Sequence, residues 1–355
     1  MLIQVAIVTG GNTGIGYLTV RWLLKKNAKV YLAARSEGRA REAIQKLEAE
    51  HLPGSVEWLK LDLADLNSVK AFATAFQGKE KRLDLLFNNG GVMFPKLMPD
   101  TVDGYEMHLG TNGLGHHYLT KLLLPTLLAT QKLSPANPPR VCFTSSLAHR
   151  FASAEGFKPE DPTGLGSRPF YLSPASRAYG TSKLVNILSA NKFQRQYGPE
   201  GLVFTSVHPG ILYTELMRDW SSLFGVKQLI QSYLFYPPSM GCLTQLFANT
   251  APEAAKKGGS YLVPWAREAE PMPIAHDKAN QDACTFLYSH QSMPGSTCRS
   301  PSTSSSLFAF TSTCHANGPC AGPTAIDIEA HTSPITTLIG SPAVKKRGQI
   351  LPSGK

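Results

Sequence analysis

Charge is sparse in this 355-residue chain, with Asp, Glu, Lys and Arg together making up 17% of it. Against 42% apolar residues that is enough to build a substantial core, and the length allows one large domain or two small ones. No run of roughly 18 apolar residues occurs, so no membrane-spanning helix is expected. The opening "MLIQVAIVTGG" has no basic leader and no small-residue cleavage site, so no signal peptide is expected either. Cysteine is scarce. Cys142, Cys242, Cys284, Cys298, Cys314 and Cys320 fit neither zinc-site spacing nor a compact disulfide scaffold, which points to a reducing, cytoplasmic setting and no metal. No basic run is interleaved with aromatics, so a nucleic-acid partner is not expected.

The net charge is +10, and from Glu268 onward six basic residues balance six acidic ones. The excess therefore sits in residues 1–267, which suits a phosphate-rich ligand and is equally ordinary for a basic enzyme. Over that stretch strand-like and helix-like segments alternate. "QVAIVTG", "KVYLAA", "SVEWLKLDL", "RLDLLFNN", "RVCFTSS", "LVFTSVHPG" and "GSYLVP" read as strands. Between them lie helical patterns, the longest from about Tyr105 to Leu128; in the first, Leu18, Trp22, Leu23 and Leu24 are expected on one face. This rhythm predicts an α/β fold: a Rossmann-type, doubly wound parallel sheet of about seven strands with helices on both faces. Residues 1–267 form the expected dinucleotide-binding catalytic domain. Residues 268–355, rich in Ser, Thr and Pro, read as a largely irregular, disordered tail.

"TGGNTGIG", Thr9 to Gly16, joins the first strand to the first helix. Gly10 permits a tight turn, Gly14 lets backbone approach a pyrophosphate, and Gly16 lets helix and strand pack closely. The helix start offers free N–H groups to an anion. The second strand ends in Ala34, where a carboxylate would bind both ribose hydroxyls, and Arg35 follows. Losing the acid and adding a guanidinium favours NADP (NADPH) over NAD. Asp62 in "LKLDLADL" could accept from an adenine amino group or cap the helix beginning near Leu66. In "LFNNGGV", Asn88 and Asn89 can tie strands together while Gly90 and Gly91 keep space open. "RAYGTSKLVN" sets Tyr179 four residues ahead of Lys183, a pair that alone occurs by chance in many helices.

The order TGGNTGIG, LDL, NNGG, Asn112 in "GTNGLGHH", Ser146 in "CFTSSLAHR", YGTSK and "HPGILYT" strongly resembles the short-chain dehydrogenase/reductase family. Within it the chain is similar to the retinol-dehydrogenase and WW-domain-oxidoreductase-like branch, which includes many filamentous-fungal enzymes, some in secondary-metabolite pathways. The resemblance spans roughly Ile3 to Trp265. It implies that Tyr179 is the catalytic acid/base, that Lys183 lowers its pKa and binds nicotinamide-ribose hydroxyls, that Ser146 orients the carbonyl or alcohol, and that Asn112 holds a water for proton relay. It further implies cofactor contacts from Ile15, Asp62, Asn89, Ile211 and Thr214, and a lesser one from Lys121, which a solvated helix face would explain as well. Ser146 and Tyr179 stand 33 residues apart, and the intervening stretch resembles an inserted loop of this branch. The family's usual final helix after "YLVPW" is not recognisable, which bears on the expected homodimer.

A free tyrosine, with a pKa of about 10, is a poor base at neutral pH, and a lysine one turn away favours its phenolate. Leu216 to Gly241 is rich in Leu, Phe and Tyr. It reads as a lid over an apolar carbonyl or alcohol, as a weak membrane-surface contact, or as core. The leading expectation is an NADP-dependent oxidoreductase interconverting a carbonyl and an alcohol on an apolar small molecule. The alternative is a non-catalytic NADP(H)-binding sensor or scaffold, motivated by the atypical tail.

Overall fold

The computed structural model describes residues 4–94, 100–158, 173–210 and 236–289, with the side chains of 285–289 excepted. The chain divides into two compact units, Met1–Thr297 and Cys298–Lys355, the second of which lies outside the described residues.

In the first unit the seven expected strands form at β1 (Val5–Thr9), β2 (Lys29–Ala34), β3 (Ser55–Lys60), β4 (Leu85–Asn88), β5 (Arg140–Thr144), β6 (Val203–Val207) and β7 (Tyr261–Val263). All seven run parallel. An eighth, β8 (Arg267–Ala269), pairs antiparallel with β7, giving the order β3-β2-β1-β4-β5-β6-β7-β8. The period-2 alternation of β1 shows why both faces are covered. Val5 and Ile7 enter one core with Phe72, Phe76, Leu119, Leu123 and Phe193, while Ala6 and Val8 enter the other with Val20, Leu23, Leu24 and Ala248. The first core lies under α3 (Leu66–Lys79), α4 (Gly115–Leu133) and α5 (Pro174–Tyr197), the second under α1 (Gly14–Lys25) and α6 (Pro238–Thr250). A further helix, α2 (Glu37–Glu48), follows β2 and buries Ala40 and Ala43 against Leu32.

Strand order reverses between β1 and β4, because the chain winds outward from β1 to β3 and then returns to β1's other side. Sheets of this kind open a crevice at the carboxyl ends of their strands at that reversal. Thr9, Asn88 and Asn89 stand at its lip.

The structure departs from the sequence expectations in four places. Trp22 is exposed, because at 100° per residue it shares a side with Leu18 rather than with the buried Gly16, Thr19, Val20, Leu23 and Leu24. The longest described helix is α5, with 24 residues, and the helix expected from Tyr105 opens instead as a π-helical segment over Leu109–Leu114. The eighth strand went unread because three residues carry no period. Ordered structure also continues past 267: after β8 come a 3-10 turn at Pro273–His276 and α7 (Lys278–Ser289). Helix α7 packs on α5 through Arg195–Asp282 (2.5 Å) and Lys192–Asp282 (3.2 Å), so a final helix is present where the sequence showed none.

Candidate active site

The glycine turn forms as its residues demand. Gly10 and Gly14 have φ of +64° and +55°, a region costly for residues with a Cβ. A Cβ at Gly16 would lie 2.3 Å from the Gly10 carbonyl oxygen, so only glycine lets α1 start this close to β1. Among the described residues such a Cβ beside Gly14 would meet nothing within 4 Å, and the Thr13 side chain does not cap the first turn of α1. Open space in front of uncapped amides suits an anion such as a pyrophosphate. Across the crevice, the Asn89 amide nitrogen donates to the Thr9 carbonyl (2.8 Å), while its buried Oδ1 has no partner among the described residues. An unpaired buried acceptor on the residue that bonds Thr9 beside the glycine turn matches a ribose hydroxyl donor. The residues present therefore fit a dinucleotide. Arg35 is largely exposed at the tip of β2 and stands 3.9 Å from Asp62. Asp62 accepts from the Ala64 amide, and the cap of α3 is Asp65.

On the other side of the reversal, β5 and α5 bring the reactive groups together. Lys183 Nζ donates to the Thr144 carbonyl (2.9 Å), Ser145 Oγ donates to the Lys183 carbonyl (2.7 Å), and Asn186 also donates to Thr144 O (3.1 Å). These bonds bind the middle of α5 to the end of β5. Ser146, the next residue, hydrogen-bonds the Tyr179 side chain and accepts from the Ala148 amide. Lys183 Nζ lies 5.6 Å from the centre of the Tyr179 ring, and both residues are buried. Asn112 sits in the π-helical segment. Its side chain accepts from the Val92 amide (2.8 Å) and donates to Val92 O (3.0 Å) and Ser182 Oγ (3.1 Å), pinning the loop after β4.

Burial dominates the protonation of the pair. It pushes the Tyr179 phenol up to about 12, with the Ser146 hydrogen bond pulling the other way. It pushes the Lys183 ammonium down to about 8. This departs from the expectation that Lys183 makes Tyr179 more acidic. A count of charges one turn apart leaves out the desolvation that both groups suffer in a dry pocket.

Thr9, His108, Glu106, His116 and His149 also shape the site and were not singled out from sequence. Thr9 Oγ1 accepts from the Asn89 (2.9 Å) and Gly90 (2.8 Å) amides and meets His116 Nε2 at 2.8 Å. His116 Nδ1 faces the Asn112 carbonyl (2.8 Å), which only accepts, so the ring is protonated at Nδ1 and Thr9 donates to Nε2. Burial holds this imidazole neutral, with its pKa lowered to about 3. His149 spans Ser146 O (2.7 Å) and the Met272 amide (3.2 Å), tying the turn after β5 to the C-terminal segment. The spacing of Asn112 and His116, one helical turn, was the available signal for that contact.

Of the residues expected from sequence, Gly10, Gly14, Ile15, Gly16, Asp62 and Asn89 gather around the crevice, with Arg35 at its rim, and Asn112, Ser146, Tyr179 and Lys183 cluster beside it. Lys121 is not brought in. It stands exposed on α4, nine residues or about 13 Å of helical rise beyond Asn112. Ile211, Thr214 and most of the apolar stretch from Leu216 lie outside the described residues, as does the greater part of the inserted loop.

A family model described as short chain dehydrogenase matches residues 4–156. A short-chain dehydrogenase/reductase of Armillaria gallica is 43% identical over 264 residues, covering 74% of this chain and 82% of the relative. One from Phomopsis amygdali is 40% identical, covering 75% and 80%. Retinol dehydrogenase 11 of Mus musculus is 38% identical, covering 73% and 77%. Among solved structures, the RhlG/NADP active-site complex of Pseudomonas aeruginosa superposes with a TM-score of 0.57 at 22% identity, covering 73% of this chain and 94% of that one, a likeness of fold.

Proposed function

The chain belongs to the short-chain dehydrogenase/reductase family, and on that premise we propose that it is an NADP-dependent enzyme interconverting a carbonyl and an alcohol on an apolar small molecule. The observation that carries this reading is the joining of buried Tyr179 and Lys183 with half-buried Ser146 beside a glycine crevice that suits a dinucleotide.

Gly10, Gly14, Ile15, Gly16, Asp62 and Asn89 hold the dinucleotide, and Arg35 at the rim favours a 2′-phosphate. A bound NADPH supplies the hydride chemistry. Tyr179, kept protonated at neutral pH by burial, gives its proton to the carbonyl oxygen. Ser146 donates a hydrogen bond to the same oxygen as negative charge develops there. Lys183 positions the ribose end of the cofactor and places a cation near the tyrosine once its proton has gone, and Asn112 fixes the loop that roofs them. The proposal extends to a cytoplasmic enzyme, a homodimer, and a place in secondary metabolism, the last resting on resemblance to filamentous-fungal members.

The test is NADPH consumption by purified protein over a panel of apolar ketones and aldehydes, with Tyr179→Phe alongside. We expect the variant to bind NADPH normally, by nucleotide fluorescence, and to lose about 10²- to 10⁴-fold in kcat. Turnover that is absent across the panel, or unchanged in the variant, removes the proposal.

A further inference from the structure

The loop after β4 is fastened at three points: Asn89 to Thr9, Val92 to the Asn112 side chain, and Phe94 to His108. The first two hold elements already described. The third holds a residue in an uncomfortable conformation, since Phe94 has φ of +47°, where an aromatic residue rarely sits. Its amide donates to Nε2 of His108 at 3.1 Å. His108 is fully buried, and its Nδ1 lies 2.6 Å from Glu106 Oε1. Glu106 is also fixed by the Leu109 amide on its other oxygen (2.8 Å). Burial raises the Glu106 carboxyl, but the hydrogen bonds from His108 and the amides of Leu109 and His108 outweigh it and hold the group below its ordinary range. A carboxylate can only accept, so Nδ1 carries the proton and Nε2 presents the lone pair that the Phe94 amide needs.

The three rings meet around the reactive phenol. Phe94 and Tyr179 are 6.0 Å apart between centroids at 42°, His108 and Tyr179 5.8 Å at 75°, and Phe94 and His108 6.1 Å at 71°. Phe94 is half-buried, whereas His108 and Tyr179 are buried. Phe94, its ring centroid 6.0 Å from that of Tyr179, is the half-open member of this group and the one a molecule entering beside the phenol can reach. Strain at a non-glycine residue persists only where surrounding structure imposes it, and here a dedicated Glu-His acceptor does so.

Resting on the dehydrogenase/reductase reading of the Tyr179 site, we propose that Phe94, latched by Glu106 and His108, is a specificity-determining wall that selects substrates with an aromatic or conjugated ring adjoining the carbonyl. His108 and Glu106 are positioning residues that act through Phe94. Aromatic faces and edges recognise planar unsaturated groups with a gain that saturated chains of equal size lack.

The test compares wild type with Phe94→Gly, His108→Phe and His108→Gln. Glycine suits the +47° conformation, so Phe94→Gly removes the ring while relieving strain and is expected to fold. His108→Phe keeps an aromatic ring but loses the acceptor, and His108→Gln keeps an acceptor. Two readouts are taken: the ratio of kcat/KM for 2-acetonaphthone to that for cyclohexyl methyl ketone, with NADPH, and the dissociation constant of 1-(2-naphthyl)ethanol by ligand-observed NMR. We expect the ratio to fall about tenfold in Phe94→Gly and His108→Phe, through KM rather than kcat, with naphthyl binding weakened to match and both restored by His108→Gln. An unchanged ratio and unchanged naphthyl affinity in Phe94→Gly, or equal losses in His108→Phe and His108→Gln, overturn the proposal. Absence of turnover in wild type sinks the enzymatic reading, and naphthyl binding then decides the role of Phe94 by itself.

Discussion

Tyr179 and Lys183 share one dry pocket, and each is driven toward its neutral form there. For Lys183 this has a consequence for stability that can be measured apart from any reaction. Between about 8 and its ordinary 10.5, the unfolded chain holds the lysine proton and the folded chain does not. The unfolded state binds more protons in that window, so stability rises with pH across it. Denaturant unfolding at pH 8 and pH 10 should therefore show wild type gaining on Lys183→Met as pH rises; a constant difference between the two would show that the ammonium is not desolvated. At the crevice rim, Arg35 is the group proposed to favour the 2′-phosphate. Arg35→Ala is expected to raise KM for NADPH roughly tenfold while leaving KM for NADH within about twofold, a contrast read from initial rates with each cofactor.

At the scale of elements, α7 is the part that decides what a shortened chain can do. Its Asp282 pairs with Lys192 and Arg195 of α5, and its Asn280 side chain accepts from the Phe157 amide at 2.7 Å. Just before it, Met272 donates to His149, whose other nitrogen holds the Ser146 carbonyl. A chain ending at Arg267 should lose thermal stability and NADPH binding together, whereas one ending at Thr297, which keeps the first unit whole, should retain both; melting and nucleotide titration of the two truncations check this. The sequence pointed to an ending at 267 because α7 lies beside a long Ser- and Thr-rich stretch and its burial depends on partners roughly 90 residues away in α5. By contrast, the seven parallel strands were legible because each carries a short β-rich stretch bounded by turn residues, even where, as in β3 (SVEWLK), polar residues interrupt it. The site was legible in the same uneven way. The glycines follow from turn geometry and Tyr179 and Lys183 stand one helical turn apart, but the roles of Tyr179, Lys183, Ser146 and Asn112 were legible through the family resemblance. Phe94, His108, His149 and Thr9 act through contacts that the fold alone creates, and the positive φ of Phe94 leaves no mark in the order of residues.

For the molecule as a whole, residues 1–267, which contain the crevice suited to a dinucleotide, carry the whole positive excess. Such a field draws in a more highly charged ligand more strongly, and salt screens it. KM for NADPH is therefore expected to rise more steeply than KM for NADH between about 20 and 500 mM salt; parallel slopes would show that the field has no part in capture. The margin formed by β8 has an effect of another kind. It offers three residues, two of them the exposed Arg267 and Glu268, and the backbone entering it is bent by left-handed Trp265 and Ala266. A neighbouring molecule seeking to prolong the ladder there finds charged side chains and a kinked approach in place of a flat template, so that border is shielded from edge-to-edge aggregation.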